Sequence, residues 1–473
     1  MPYIMLQSSI GGSYMQKISC KEVLEAVKGT LISGDINTEF NSVSTDSRKI
    51  SGGELFIPIV GERFDGHEFV ESSLRDGALG AFTQNSQAPV EGKVVIKVED
   101  TLKALRELAT WYRSNFKIPF VGITGSVGKT STKDMVANVL SQSLNVLKTQ
   151  GNFNNEIGLP LTIFNLDSSH EAGVLEMGMS GLGEISRLTS IVKPDIAIIT
   201  NIGLSHIEKL GSRQNILKAK LEILEGLNER GLAILNGDDE LLSGTKGLLK
   251  FRTLYYGIGE EADLQAYNVM SAGEQGTHFN VTIDGKEYHV QVPVPGIHNV
   301  YNALAAIAAG TELKIPMNLI IKGISEFSPG KMRLNIINHK EMKIIDDVYN
   351  ASPNSMEAAM SVLKEVGGNN RTIAILGDML EMGDWAEEAH INVGKYAAAK
   401  NIDIILTVGE NGMNIARGAS EAGLSSERVY SFGNNQEIND FLQGYVKAGD
   451  VILIKGSRGM KMEQIVEKLT SGD

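Results

Sequence analysis

The stretch Gly122–Met135 holds the residues best suited to bind a phosphorylated ligand. It reads G-I-T-G-S-V-G-K-T-S-T-K-D-M, between a strand-like run and a helix-like run. Glycines let backbone N–H groups converge on phosphate oxygens, Lys129 can reach the β- and γ-phosphates, and the Thr130 hydroxyl can bind Mg²⁺. The usual phosphate loop has its first glycine six residues before the lysine, where this chain has Ile123. The stretch therefore predicts a nucleotide site with a variant loop, and the competing interpretation is a glycine-rich turn with a solvated lysine.

Two further side chains follow predicted strands and could hold a metal ion beside that loop. Glu176 ends the run 173–177, and His206 comes shortly after the run 195–200. Ligand sites of parallel sheets lie at the carboxyl ends of the strands, and carboxylates are suitable ligands for Mg²⁺. From these residues alone Glu176 stays open between a structural and a catalytic role. A lone loop histidine such as His206 is more often a hydrogen-bonding residue than a ligand.

Lys220 occupies an unusual place for a lysine. It falls on the apolar stripe of a predicted helix, four residues after Ile216 and four before Leu224. A lysine at such a position can extend its ammonium group to water along the apolar surface. The alternative is a desolvated amine whose pKa is lowered and which is available for chemistry. The sequence alone favours the first interpretation.

The last third of the chain carries three more polar strings directly after predicted strands. I-I-D-D-V-Y-N-A-S-P-N-S-M spans residues 344–356, and helix capping by Ser352 and Asn354 competes there with a ligand-binding role. L-G-D-M-L-E-M-G spans 376–383, and I-K-G-S-R-G-M-K-M spans 454–462. In the last string Lys455 and Arg458 could bind carboxylates, since arginine can do so through two parallel hydrogen bonds.

Strand-like and helix-like runs alternate along the chain, which is typical of parallel α/β architecture. We expect three domains: a small mixed α/β N-terminal domain over 1–99, a central phosphate-loop domain with a mostly parallel sheet over 100–328, and a C-terminal Rossmann-like domain over 329–473. The boundary near 328 rests on the linker-like string S-P-G-K. A β-rich insert is predicted over 252–293. The main predicted helices are 20–27, 101–116 and 130–143, and the main predicted strands are 54–60, 94–98, 120–124, 173–177, 195–200, 232–236, 277–283, 287–292, 343–346, 372–376, 402–408 and 450–454.

Composition narrows the classes of protein that this chain can represent. It has 473 residues, 42% of them hydrophobic and 21% charged, with a formal net charge of −13. That charge argues against non-specific binding to nucleic acid or to anionic membranes. The single cysteine, Cys20, excludes an internal disulfide, and no uncharged apolar run approaches the roughly 20 residues needed to span a bilayer. The N-terminal stretch lacks the pattern of a signal peptide, so we expect a cytoplasmic protein. We also expect a monomer that does not insert into a membrane.

Taken together, these strings resemble the Mur ligases, which build the peptide of the peptidoglycan precursor. The resemblance extends from about residue 44 to 463, and the loop form T-G-x-x-G-K-T is the family's own, which accounts for the displaced glycine. The strings that carry it are S-T-D-S-R (44–48), G-E-R-F-D-G-H-E-F (61–69), T-G-S-V-G-K-T-S-T-K (124–133), G-N-F-N-N-E-I-G-L-P-L-T (151–162), L-E-M-G-M-S, T-N-I-G-L-S-H-I-E, A-K-L-E-I, P-G-I-H-N-V-Y-N-A-L-A-A, D-D-V-Y-N-A-S-P-N-S-M and K-G-S-R-G-M-K-M.

The resemblance implies an ATP-dependent amide ligase that works through an acyl phosphate. The member type most similar to this chain joins D-Ala-D-Ala to UDP-MurNAc-tripeptide. A second type, which adds a diamino acid to UDP-MurNAc-dipeptide, carries an Asp-Asn-Pro-Arg-like string, and this sequence has no Asp-Asn-Pro. Folylpolyglutamate synthase shares the central architecture but needs no UDP-binding strings. Outside this class, a GTPase-like switch is disfavoured because no Asn-Lys pair is present, and a catalytically dead scaffold would be expected to lack Lys129, Glu176, His206 or Lys220.

The resemblance also implies a role for each matched residue. Catalysis falls to Lys129, Lys220, His206 and Glu176, and Mg²⁺ to Thr130, Glu176, His206 and Lys220, the last as a carbamate formed with CO₂. The expected ATP contacts are Gly125, Ser126, Val127, Gly128, Lys129, Thr130, Ser131, Asn299 for adenine and Asp347 for ribose or phosphate. The expected substrate contacts are Ser47, Arg48, Asp65, Gly66 and His67 for UDP, Asn152 and Asn155 for the muramoyl peptide, and Arg333, Tyr349, Asn350, Lys455 and Arg458 near D-Ala-D-Ala or the γ-phosphate. The string S-P-G-K-M-R departs from the family here, because its arginine stands later than in the P-G-R form of some members.

Overall fold

The computed structural model of the protein describes residues 15–61, 64–85 and 89–471. Residues 1–14, where the absence of a signal peptide was judged, lie outside this range. So do Glu62 and Arg63 of the string 61–69. The described chain forms two compact units. One runs up to Pro119 and includes 145–175 and 190–193, and the other comprises 120–144, 176–189 and the chain from Pro194 onward.

The first unit is built on a five-stranded mixed sheet. Strands Ser42–Ser44, Glu54–Phe56, Gly80–Thr83 and Val94–Lys97 lie side by side in this order and are parallel. Strand Thr30–Ser33 pairs antiparallel with Val94–Lys97 at the edge of the sheet. Two further pairs are Ile18–Ser19 with Glu39–Phe40, antiparallel, and Val146–Lys148 with Ala172–Glu176, parallel. The helices and helical turns are Cys20–Val27, Ser47–Lys49, Gly66–Phe69, Val70–Arg75, Thr101–Ser114, Gly158–Ile163 and the end of Glu184–Val192.

The second unit contains the strands that carry the phosphate loop. Five parallel strands lie side by side in the order Leu264–Gln265, Arg252–Gly257, Leu232–Asn236, Ile196–Ile199 and Phe120–Thr124. The last three of these strands are buried along their whole length and mostly apolar, as expected when helices cover both faces of a parallel sheet. The helices of this part are Lys129–Leu140, Ile207–Leu210, Arg213–Leu221, Glu222–Gly226, Glu240–Ser243, His298–Glu312 and Met317–Ser325.

The β-rich insert is smaller than the sequence predicted. Residues Arg252–Gly257, expected within it, form a strand of the parallel sheet instead. The insert is a three-stranded antiparallel sheet of Tyr267–Ser271, Thr277–Ile283 and Lys286–Val292, with the predicted turn at Asp284-Gly285. Strand propensity alone does not distinguish these two situations, because pairing partners decide which sheet a strand joins.

The C-terminal part of the second unit has its own six-stranded sheet. Its strands are Asn335–His339, Met342–Asp347, Val451–Lys455, Thr372–Gly377, Ile404–Val408 and Val429–Phe432, in this spatial order. The first pair is antiparallel and the others are parallel. The connecting helices include Pro353–Gly367, Ala386–Ala399, Gly412–Glu421, Asn435–Leu442 and Glu463–Thr470.

The α/β class and the parallel central sheet are thus confirmed. The strands 120–124, 232–236 and 277–283 and the helix 20–27 have the predicted bounds, and most other elements differ by a few residues at their ends. None of the helices that the structure describes combines the length and apolar character needed to cross a membrane.

Candidate active site

The phosphate loop, Gly125–Ser131, joins the strand Phe120–Thr124 to the helix Lys129–Leu140. Gly125 and Gly128 have φ values of +150° and +86°, which residues with a side chain rarely adopt. A Cβ added at Gly125 would lie 1.8 Å from Thr200 Oγ1. Gly122 serves a different purpose, because it lies within the strand, where an added Cβ would be 2.9 Å from Met177 Cε. The glycine that is out of register with the usual loop is therefore a packing glycine.

The loop is held from behind by residues that follow the strand Ile196–Ile199. Thr200 Oγ1 donates a hydrogen bond to Val127 O (2.6 Å), and Asn201 binds both backbone groups of Val127, at 2.9 and 3.0 Å. The Ser126 hydroxyl accepts from Gly203 N at 2.9 Å. Sequence analysis did not assign roles to Thr200 and Asn201. Their signal was present in the string T-N-I-G-L-S-H, directly after a buried strand.

A second support comes from the helix His298–Glu312. Thr132 Oγ1 donates to Asn302 Oδ1 (2.8 Å), and Asn302 Nδ2 donates to Asn299 Oδ1 (3.0 Å). Asn299 in turn donates to Pro295 O at 2.8 Å, and both asparagines are buried. This network fixes the helix that begins with the phosphate loop. It also engages the amide of Asn299, the residue expected to contact adenine.

Three of the predicted site residues, Lys129, Thr130 and Glu176, lie at the loop. Lys129 Nζ donates to Gly125 O (2.8 Å) and Ser126 O (3.3 Å), and Thr130 Oγ1 donates to Glu176 Oε2 (2.8 Å). Glu176 is 2% exposed, at the end of the strand Ala172–Glu176. The structure therefore brings together a cationic side chain, a hydroxyl and a carboxylate, as the strand ends predicted.

Lys220 is buried rather than extended to water. Its side chain is 2% exposed, in the helix Arg213–Leu221, so the interpretation that the sequence favoured is wrong. Burial lowers the pKa of Lys220 well below its usual value, and the charge of Lys129 lowers it further. Burial also lowers the pKa of Lys129, with Glu176 opposing this shift and Arg333 adding to it. The charge of Lys129 thus acts on Lys220, and the charge of Arg333 acts on Lys129. Such a concentration of basic side chains suits a strongly anionic ligand.

His206 lies at the edge of the same cluster. Burial lowers its pKa, Glu381 opposes this, and Lys129 and Lys220 lower the pKa further. Its backbone is left-handed, with φ of +63°, at the start of the short helix Ile207–Leu210. The ring atom Nδ1 is 2.6 Å from Glu381 Oε2, although the approach lacks the angle of a regular hydrogen bond. His206 is therefore in contact with a residue of the C-terminal part of the unit, which the sequence did not indicate.

These residues fit a magnesium ion that is shared with a nucleotide. Among the described residues, no three histidine, cysteine, aspartate or glutamate side chains cluster as a complete metal site. Mg²⁺, however, typically keeps several waters and takes one or two carboxylates plus substrate phosphates. The oxygen atoms of Thr130 and Glu176 supply such a set next to the phosphate loop. The His206 ring could also serve as a ligand, because no regular hydrogen bond among the described residues occupies its buried Nδ1.

The C-terminal part contributes a second group of predicted residues. Asp347 and Lys455 end adjacent parallel strands and form a buried ion pair, with Nζ to Oδ2 at 2.6 Å. Lys455 Nζ also donates to Asn350 O (2.8 Å), and Asp347 Oδ1 accepts from Leu334 N (3.2 Å). Burial raises the pKa of Asp347, while Lys455 acts in the opposite direction. In this structure, each of the two side chains therefore has the other as its charged partner.

Arg333 and Arg458 are two cationic side chains of this region that are at least partly exposed. The Arg333 guanidinium stacks on the Tyr349 ring, 3.9 Å from its centroid, and the charge of Arg333 reaches Lys129. Arg458 is half exposed beside Glu463. It also borders a cavity of about 120 Å³ lined by residues of the central and C-terminal parts. The lining residues are Ser205, His206, Asn350, Ala351, Ser352, Leu380, Glu381, Met382, Ser457, Arg458 and Gly459.

The capping interpretation is correct for Ser352. This residue is the N-cap of the helix Pro353–Gly367 and forms a capping box with Ser355. Asn354 is the second residue of the helix rather than a cap. Its Oδ1 lies 2.7 Å from where a Cβ on Gly203 would stand.

The expected UDP contacts lie in two short helical turns of the first unit. Both turns, Ser47–Lys49 and Gly66–Phe69, pack against the helix Val70–Arg75. Arg48 is paired through two hydrogen bonds with Asp46 (2.8 and 2.9 Å) and is largely exposed. His67 Nδ1 is 2.6 Å from Asp65 Oδ1, and its Nε2 accepts from a backbone N–H.

The two asparagines expected along the muramoyl peptide also lie in the first unit, and they differ in kind. Asn155 stabilises the start of the helix Gly158–Ile163, since its Oδ1 accepts hydrogen bonds from Gly158 N at 2.8 Å and from Ile157 N at 3.2 Å. Asn152 lies in the preceding turn and is exposed. A structural role therefore accounts for Asn155, while Asn152 is accessible to a ligand.

The chain is similar in sequence to known ligases. Family models described as "Mur ligase family, catalytic domain", "Mur ligase middle domain" and "Mur ligase, glutamate ligase domain" match residues 39–113, 123–310 and 332–458. The chain is 43% identical over 458 residues to the UDP-N-acetylmuramoyl-tripeptide–D-alanyl-D-alanine ligase of Bacillus subtilis (strain 168), covering 96% of this chain and 99% of the relative.

Solved structures agree with this similarity. MurF from Acinetobacter baumannii superposes with a TM-score of 0.90 at 30% identity, covering 97% of this chain and 100% of that chain. A MurF ligase from Thermotoga maritima in complex with ADP has a TM-score of 0.81 at 28% identity, covering 91% of this chain and 97% of that chain.

Proposed function

This chain belongs to the Mur ligase family, and we propose that it joins D-Ala-D-Ala to UDP-MurNAc-tripeptide while converting ATP to ADP and phosphate. The reaction type rests on one observation: Lys129, His206 and the buried Lys220 lie close enough for their charges to influence one another, beside a phosphate loop whose Thr130 donates a hydrogen bond to Glu176. The choice of acceptor and donor rests on the name of a relative that is similar over nearly the full length.

The chemistry begins with activation of a carboxylate, which is a poor electrophile in its ionised form. A carboxylate oxygen of the tripeptide attacks the γ-phosphorus of ATP, the bond to the β,γ-bridging oxygen breaks, and ADP leaves. The amine of D-Ala-D-Ala then attacks the acyl carbon and loses a proton. The tetrahedral intermediate collapses to an amide with release of phosphate. Each reactant is anionic, so the protein's main tasks are charge screening and alignment.

The phosphate loop performs the first of these tasks for ATP. The N–H groups of Gly125–Ser131 and the positive end of the helix Lys129–Leu140 favour the polyphosphate. Lys129 reaches the β- and γ-phosphates by exchanging its hydrogen bonds to the loop carbonyls for phosphate oxygens. Arg333, stacked on Tyr349, adds charge from the C-terminal part. Together these groups offset the negative charge that the carboxylate must approach.

Magnesium is the metal that the donor set suits, with Thr130, Glu176 and His206 as the proposed ligands. When bound, the ion neutralises phosphate charge and withdraws electrons from the γ-phosphorus. The hydrogen bond from Thr130 to Glu176 already places these two oxygens within 2.8 Å of each other.

We further propose that Lys220 carries a carbamate. Its burial and the neighbouring charge of Lys129 favour a neutral amine, and only the neutral amine adds to CO₂, releasing one proton. The product replaces a buried neutral amine with an anionic oxygen pair close to Lys129 and His206. A carbamate oxygen could then serve as a further ligand of the metal. An unmodified, neutral Lys220 is the alternative.

The remaining assignments follow the family resemblance. Asn299 and Asp347 are proposed contacts of adenine and ribose, and each must then exchange a hydrogen bond seen here for one to ATP. The proposed contacts of D-Ala-D-Ala or the γ-phosphate are Arg333, Tyr349, Asn350, Lys455 and Arg458. The proposed contacts of UDP are Ser47, Arg48, Asp65, Gly66 and His67, with Asn152 and Asn155 along the muramoyl peptide.

We also propose that the chain divides into three domains at residues 99 and 328, and that the protein is a cytoplasmic monomer. The location follows from the substrates, because the nucleotide-linked precursor is made in the cytoplasm. No nucleic acid, and no insertion into the membrane, is required by this reaction.

A phosphate-release assay over four substrate combinations tests the function. UDP-MurNAc-dipeptide or UDP-MurNAc-tripeptide is combined with either D-Ala-D-Ala or a free diamino acid, in the presence of ATP and Mg²⁺. We expect release only with the tripeptide and D-Ala-D-Ala. Turnover of the dipeptide with the diamino acid would instead assign the chain to the type that adds the third residue. Release without any peptide acceptor would indicate an ATPase or switch.

A further inference from the structure

The loop that follows the strand Thr372–Gly377 reaches His206 with one side chain, Glu381. The contact joins Glu381 Oε2 to His206 Nδ1 at 2.6 Å. Nδ1 is buried and has no hydrogen bond of regular geometry among the described residues, and the Glu381 carboxylate is the charged group that approaches it. Sequence analysis left the string L-G-D-M-L-E-M-G, to which Glu381 belongs, without an assigned role.

Both residues of this contact have an unusual backbone. Glu381 has φ of +62° and His206 has φ of +63°, in the left-handed region that glycine prefers. Such conformations cost about 1 kcal/mol or more for a residue with a side chain and persist only where the surroundings impose them. Two strained residues that face each other across 2.6 Å indicate a defined arrangement, because neither conformation is favoured locally.

The loop that carries Glu381 is anchored at several points. Met379 N donates to His390 Nε2 (2.9 Å), and Leu380 N donates to Ser457 Oγ (2.9 Å). The Asp378 carboxylate accepts from Gly412 N at 2.8 Å. Met379 and Met382 are 1% and 2% exposed, on either side of the exposed Leu380 and Glu381. The backbone is therefore fixed, while the Glu381 side chain projects towards His206.

The opposite side of the contact is also close-packed. Gly383, with φ of +51°, lies against Glu208 of the short helix that His206 begins, and an added Cβ would stand 3.0 Å from Glu208 Cγ. The two segments thus meet at Gly383 as well as at Glu381. A histidine that binds a metal commonly donates its other ring N–H to a carboxylate, which fixes the tautomer and the ring orientation.

We propose that Glu381 is a positioning residue that holds His206 through Nδ1, so that Nε2 faces the phosphate and metal site. This inference rests on one part of the proposed function, namely that His206 belongs to the Mg²⁺–nucleotide site. The carboxylate comes from the C-terminal part and the imidazole from the central part of the same unit. Docking of the C-terminal part therefore orients His206 and links substrate capture in that part to the arrangement of the metal site.

The simplest competing explanation is an ordinary surface ion pair. The Glu381 side chain is 58% exposed, and pairs of that kind contribute about 0–1 kcal/mol. A surface pair would not affect how Mg²⁺ supports nucleotide binding. A positioning residue would affect it, and only through His206.

Calorimetric titration of Mg²⁺ and ADP distinguishes the two explanations without requiring the peptide substrates. We expect Glu381→Gln to weaken Mg²⁺-dependent ADP affinity about tenfold, the lower end of the effect of outer ligand partners. We expect His206→Ala to weaken it at least as much, and the double variant to match His206→Ala alone. Glu387→Gln is the matched control, because Glu387 is an exposed carboxylate of the same part, paired with Arg417 at 2.5 Å.

Two results would overturn the inference: unchanged affinity in Glu381→Gln, or effects that multiply in the double variant. Thermal unfolding of each variant checks that it is folded. A shift of kcat with unchanged KM for D-Ala-D-Ala should accompany the loss of affinity. If the substrate assay assigned a different acceptor, the ADP titration would still report on Glu381, so the two failures remain distinct.

Discussion

Replacement of Gly125 by alanine tests the argument that the loop's glycine spacing is imposed by its surroundings. The added Cβ would stand 1.8 Å from Thr200 Oγ1, whereas real contacts are essentially never shorter than 3.0 Å. The two atoms must therefore separate by at least 1.2 Å, the difference between these values. Thr200 is 4% exposed and its hydroxyl is bound to Val127 O at 2.6 Å, so it has little freedom to move.

The cost follows from what must give way. Rotation of Thr200 would break its hydrogen bond to Val127, at about 1 kcal/mol net. Alanine at a φ of +150° adds about 1–3 kcal/mol of backbone strain. We therefore expect a penalty of about 2–4 kcal/mol, which the protein relieves by displacing the loop. If the whole penalty falls on the nucleotide-binding conformation, ADP affinity decreases about 30- to 700-fold.

Calorimetric binding of Mg²⁺–ADP measures this loss, with thermal unfolding to show that the variant is folded. Gly247→Ala is the matched control, because Gly247 has φ of +74° but no atom within 4 Å of an added Cβ. It should lose stability modestly and bind ADP normally. Thr200→Ala removes the clashing oxygen, so the double variant with Gly125→Ala should bind ADP better than Gly125→Ala alone.

Binding by Gly125→Ala within about threefold of the original protein, less than 1 kcal/mol, would refute the reasoning. Independent, multiplicative effects of Gly125→Ala and Thr200→Ala would show that the clash is not the cause. Either result would mean that the loop adapts to a side chain that this structure does not accommodate.

Lys220→Ala should reduce the rate of ligation about 100-fold or more, and short carboxylates should partly restore it. The original protein should lose activity to a similar degree in CO₂-depleted buffer. Full activity of the variant in the phosphate-release assay would contradict the carbamate. Burial, and to a smaller extent the charge of Lys455, lowers the pKa of His298 to about 4. The folded protein therefore binds this proton less readily than the unfolded chain. The neutral ring thus contributes to the free energy of unfolding above about pH 6.5, and this contribution is lost as the pH falls towards 4. Relative to His298→Gln, the protein should lose about 2 kcal/mol of unfolding free energy over that range, after allowance for the ring's partial exposure, and an NMR titration midpoint near 6.5 for His298 would disprove it.

Local sequence signals were sufficient for the elements that carry the site. The apolar run at 120–124, the glycine-rich loop and the following helix are recognisable because hydrophobic period and turn residues act over a few positions. Strand ends also located Glu176 and the C-terminal aspartates, since parallel sheets place their ligand sites at that edge. The family resemblance then supplied the reaction and a role for each matched residue.

Side-chain environments were not accessible in the same way. Helix spacing alone favoured a Lys220 that reaches water, and the structure buries it, because spacing shows which face a residue is on but not how deeply that face is covered. Asp347 and Lys455, predicted as separate ligand contacts, are bonded to each other across neighbouring strands that are more than a hundred positions apart in the chain. The strand Arg252–Gly257 joined the parallel sheet rather than the predicted insert for the same reason.

The sequence by itself determined the phosphate loop, the order of α and β elements and the family. The tertiary structure decided that Gly122 packs while Gly125 and Gly128 shape the loop. It also decided that Thr200 and Asn201 hold the loop in place and that Glu381 meets His206. The physical reason is range: backbone conformation and amphipathic period are read over neighbouring residues, whereas burial, pairing and pKa depend on atoms brought together only when distant strands and helices pack.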